Sequence, residues 1–123
     1  MDHKSKQEIQ SVVSEAMSKF LKDQMGEQAE AVVTQVVDDT IIVRFKGVLT
    51  PAEKYMIKEQ EGGSTIKKLK EKLIERVRPL LEVMIKKLID AEVVDIHSSF
   101  DPATGEHIEI LTLSRNLEKS STA

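Results

Sequence analysis

Apolar residues at helical spacing open the chain. Ile9, Val12, Val13, Ala16, Met17, Phe20 and Leu21 recur at steps of three and four, with Lys, Glu, Ser and Gln between them. The spacing lines one side of a helix from about Ser5 to Gln24, with Gly26 as its stop. The period then drops to two. Ala31 to Val37 and Ile41 to Val48 are β-branched runs divided by Asp38-Asp39, a pattern that predicts a hairpin. In the second run Ile41, Val43 and Phe45 share one face and Ile42, Arg44 and Lys46 the other. The first set is expected in the core and the second at the surface.

Gly47 gives the strand a sharp exit, and a short helix follows. Thr50 stands as its cap, Pro51 occupies its first position and Glu53 can reach back to the cap, which together make a capping box. Glu61-Gly62-Gly63 breaks the chain again, and Ser64 is the expected cap of a longer helix. Along that helix Ile66, Leu69, Leu73, Val77, Leu80, Met84 and Leu88 form the predicted buried stripe. Pro79 falls inside the pattern and predicts a kink or a division near Arg78, because proline lacks the backbone donor and crowds the preceding turn. A second hairpin runs from Val93 to Phe100 and from His107 to Leu113. Its turn, Asp101-Pro102-Ala103-Thr104-Gly105, has both the proline and the glycine that turns favour. The closing residues 119–123 are polar and are expected to form a disordered tail beyond a single domain spanning 1–118.

The element order is α-β-β-α-α-β-β. Two hairpins, each with one mainly apolar face, and amphipathic helices between them predict an α+β fold: a two-layer sandwich in which a four-stranded antiparallel sheet carries its helices on one face. The opposite face is expected to carry Ile42, one of Val32 and Val33, Leu111 and Leu113 beside Arg44, Lys46, His107 and Glu109. A half-apolar outer face of this kind suits a partner, and a second copy of the chain making a homodimer is the expected one.

Composition narrows the functional classes. At 123 residues the chain has room for one core. With 18 Lys and Arg against 21 Asp and Glu, its net charge of -3 disfavours nucleic acid or an anionic membrane as a partner, and only a local basic patch could override that field. It has no cysteine, which excludes disulfide and thiolate chemistry and fits a cytoplasmic location. It also lacks an unbroken apolar run long enough to span a bilayer, so no direct membrane insertion is expected.

The candidates for chemistry each have a plainer reading. His97 and His107 lie on the two arms of the second hairpin and could hold zinc only if they shared a face, so sheet-surface histidines are the expectation. Asp38-Asp39 serves a turn. Ser98-Ser99 beside His97 has no nucleophile elbow around it. Neither Thr104-Gly105 nor Glu61-Gly62-Gly63 continues into a phosphate loop. The one dense basic run, Lys67, Lys68, Lys70 and Lys72, reads as a solvated helix face interleaved with glutamates. Its alternative is an anion or nucleic-acid site. No catalytic, cofactor-binding or metal-binding residue emerges.

Several stretches together resemble the MpsC-like family: Val43 to Glu53, with Gly47-Val48-Leu49-Thr50-Pro51 at its centre; Arg78-Pro79-Leu80-Leu81-Glu82; Thr104-Gly105-Glu106; and Leu113-Ser114-Arg115-Asn116-Leu117. The resemblance covers about Gln7 to Glu118. It implies a small bacterial component of a sodium-translocating, membrane-potential-generating system, with subunits of a membrane complex as partners. The chain departs from the family where relatives carry Gly-basic-Gly-Pro, because here the loop reads Gly26-Glu27-Gln28-Ala29. The functional expectation is a non-enzymatic accessory or protein-interaction subunit, without cofactors, that makes contact through Ile42, Arg44 and Lys46. The alternative is a small nucleic-acid- or anion-binding module that uses the basic end of the long helix.

Overall fold

The computed structural model describes residues 4–118, so the expected tail at 119–123 lies outside them. The elements follow the order α1 (Lys6–Met25), β1 (Ala31–Val37), β2 (Thr40–Lys46), α2 (Pro51–Ile57), α3 (Gly62–Ile89), β3 (Val93–Asp101) and β4 (Glu106–Leu113). The four strands form one antiparallel sheet in the order β1-β2-β4-β3, with the second and fourth strands at its centre. The fold is α+β, as the periodicities predict.

Local chemistry explains the helix ends. Ser5 accepts from the Glu8 amide at 3.2 Å while the Glu8 carboxylate accepts from the Ser5 amide at 3.0 Å, and Gly26 ends α1 in the left-handed region. The Ser5 backbone bond holds the Glu8 carboxyl below its ordinary value. Thr50 and Glu53 make the same reciprocal pair at 3.2 and 2.9 Å, with Pro51 at the first helical position. Helix α3 begins earlier than Ser64. Its start is set by Gly62, where a Cβ would lie 1.6 Å from the Met56 carbonyl oxygen, so α2 and α3 meet backbone against backbone. Pro79 does not divide α3, which runs as one helix of 28 residues. At its far end Arg115 donates to the Ile89 carbonyl at 2.6 Å, placing a cation at the negative pole of the helix.

The core lies between the sheet and the two long helices. Ile9, Val13, Met17 and Leu21 of α1 meet Val36, Ile41, Val43 and Phe45, and Leu81, Ile85 and Ile89 of α3 belong to the same cluster. The phase of α3 differs from the predicted stripe. Ile66 is buried and Leu73, Val77, Met84 and Leu88 are partly so, but Leu69 and Leu80 are about half exposed, and Lys70 takes a core position between Ile66 and Leu81. The helix carries more apolar side chains than one face can hold, so counting them does not locate the buried side.

The second hairpin corrects the expected faces. His107 pairs with Phe100, and His107, Glu109, Leu111 and Leu113 all point into the core, each at most 2 % exposed. Side chains alternate along a strand, so burying the two leucines carries the histidine and the glutamate inward with them. Val94 is the extra residue where the register shifts between Val93 and Asp95. The segment after β4 closes over the first hairpin turn: the Leu117 amide donates to the Asp38 carbonyl at 2.8 Å and Leu117 is buried.

Candidate functional site

Three places hold the residues that sequence reasoning singled out or passed over. The first is the sheet face that the helices leave uncovered. Ile42, Arg44 and Lys46 point there, as their alternation with Ile41, Val43 and Phe45 requires. Register sets Gln35, Ile42, Ile110 and His97 in one row across the four strands, and Val33, Arg44, Ile108 and Ser99 in the next. Val33 and Ile110 are exposed while Ile42 and Ile108 are half-buried, so an aliphatic patch crosses the middle of the face. Charge divides around it. The first hairpin contributes Arg44 and Lys46. The second contributes Glu106, Asp95 and Asp101, with Arg44 reaching Glu106 at 3.0 Å. His97 is exposed here and pairs with Asp95 at 2.9 Å.

The second place is a buried ion cluster that the sequence did not announce. The Lys70 ammonium is 1 % exposed, pairs with Glu27 and lies 3.0 Å from Glu53. It also sits 5.8 Å from the centre of the Phe100 ring. Lys70 therefore leaves the basic surface set, while Lys67, Lys68 and Lys72 remain exposed. Glu27, in the loop after α1, is its main partner. Its other carboxylate oxygen finds no partner. Burial tends to raise the Glu53 carboxyl, but the Thr50 amide and the Lys70 ammonium outweigh it and hold the group below its ordinary value. The Thr50 capping box thus does double duty, because its Glu53 both caps α2 and neutralises Lys70.

The third place is a short polar chain within the core. His107 Nε2 bonds Glu109, which also accepts from the Ser98 hydroxyl at 2.7 Å. Phe45 and Phe100 flank the imidazole with ring centres 5.6 and 6.3 Å away. His107 Nδ1 is buried without a partner. The space between Lys70, Ser98, Phe100 and His107 has no room for a water molecule. His97 and His107 face opposite sides of the sheet, which removes the zinc pairing. Among the described residues, no group of three or more His, Asp or Glu is placed to hold a metal ion.

Two signals for the inward groups were present in the sequence. His107 and Glu109 share parity with Leu111 and Leu113, and Lys70 lies one helical turn after Ile66. Neither was usable without knowing which partners would satisfy the charges.

The geometry describes a small α+β fold with one open sheet face and a core that holds charged and polar side chains beside its apolar ones. The chain belongs to the MpsC family, described as a Na+-translocating membrane potential-generating system (MpsC), whose model matches residues 5–115. It is also 34% identical over 117 residues to the uncharacterized protein YbcI of Bacillus subtilis (strain 168), covering 95% of this chain and 94% of the relative. No solved structure matches the chain. No helix among the described residues is long and apolar enough to cross a membrane.

Proposed function

We propose that this protein is a non-enzymatic accessory subunit that assembles through the uncovered sheet face with a second copy of itself, and that it serves the Na+-translocating membrane system for which its family is described. The observation that carries the reading is the aliphatic patch of Val33, Ile42, Ile108 and Ile110, set between a basic and an acidic half. A two-fold axis running along the strands between β2 and β4 lays β2 of one copy over β4 of the other. Arg44 and Lys46 then meet Glu106 and its neighbours while the aliphatic rows close on each other.

Light scattering on a sizing column at tens of micromolar, the range in which weak interfaces register, tests the assembly. The wild type is expected as a dimer and Ile42→Glu as a folded monomer. A monomeric wild type overturns the dimer. Capture from membranes of the native cell, solubilised in detergent, tests the system: co-purification of an ion-translocating subunit supports the assignment, and recovery of the protein alone opposes it.

A further inference from the structure

Leu69, Lys72, Arg76, Leu80, Val83 and Lys87 follow one another on α3 at steps of three and four, and all six are exposed. Such steps keep residues within one narrow arc of a helix, and here the arc extends roughly 27 Å at 1.5 Å per residue. It contains no acidic residue. Lys72, Arg76 and Lys87 have no ion-pair partner among the described residues, whereas the neighbouring Arg78 and Lys86 pair with Glu82 and with Asp90 and Glu92. On a chain with a net charge of -3, one helix face concentrates unpaired cations between aliphatic side chains.

We propose that this face of α3 docks on an anionic lipid surface. Aliphatic side chains enter the boundary between headgroups and acyl chains, while lysine and arginine stems extend their charges to lipid phosphates, so both halves of the row are satisfied at once. A protein interface fits less well, because lysine is depleted from such interfaces. RNA fits less well again, because the row has no aromatic ring for a base to stack on. The docking is peripheral and does not depend on the sheet-face dimer.

Sedimentation of the full chain with vesicles tests it. Vesicles of phosphatidylcholine and phosphatidylglycerol in equal parts are expected to carry the protein down, those of phosphatidylcholine alone are not, and rising salt should release it. Each basic residue near such a surface contributes about fivefold to partitioning, so Lys72→Ala with Arg76→Ala should weaken binding about 25-fold. Leu80→Glu with Val83→Glu should abolish it. All four positions are exposed, so an unchanged thermal melt confirms that the variants are folded. Equal binding to both vesicle types, no binding, or binding unaffected by either double variant overturns the proposal. Capture of RNA or of an acidic peptide without vesicle binding also overturns it. Ile42→Glu should bind vesicles whatever it does to the dimer, which separates the two readings.

Discussion

The two hairpins of this sheet are built to opposite rules. The first turns Val36, Ile41, Val43 and Phe45 inward, a lining with a single polar side chain, Thr34, that bonds Ser14 of α1 at 2.7 Å. The second turns in His107, Glu109 and Ser98 together with Leu111 and Leu113, against a helix that presents Lys70. One half of the core is held by shape and the exclusion of water. The other half adds charges that stay inside only because each has a partner. The two halves should therefore fail differently.

The largest effect is expected on the charged side. Lys70→Ala strands Glu27 in the interior and should cost about 3–5 kcal/mol in chemical denaturation, whereas replacing the pair together, Lys70→Met with Glu27→Leu, should recover most of the loss. An unchanged midpoint for Lys70→Ala would break the contrast at its root. On the apolar side Ile41→Ala should cost about 2–5 kcal/mol by cavity formation, and by the same amount at neutral and mildly acid pH. A cost that varies with pH would show that the first hairpin also depends on a titrating group.

The smallest effect concerns acid. The Glu53 carboxyl is held below 4.5 in the folded chain, so its contribution is complete above that value and is lost as pH falls through the lowered one. Stability should decline below about pH 4.5 less steeply in Glu53→Gln than in the wild type. Parallel declines would mean that Lys70 draws nothing from Glu53.

The same contrast explains what the sequence made legible. In the first hairpin every inward position but Thr34 is apolar, so alternation alone separates Ile41, Val43 and Phe45 from Ile42, Arg44 and Lys46. The Thr50-Pro51-Glu53 start of α2 was equally readable, since a capping box is complete within four residues. The second hairpin and α3 were not. Polar residues read as surface unless a partner is known, and the partners of Lys70 lie 43 and 17 residues away in the chain. The helix also carries two apolar faces, of which the sequence cannot say which is covered. The exposed row of α3 is hidden for that reason, because the spacing of Leu69 and Leu80 matches a core stripe as well as a surface one.

Placing every helix on one side of the sheet gives the molecule a front and a back. When two such bodies meet back to back their fronts point in opposite directions, so a pair lying on one flat layer can set only one front against it. The other is left facing outward, free for a second layer or a second partner. Were the proposed pair to form and one of its fronts to dock, its symmetry would be broken by the contact, with one copy bound and the other turned away.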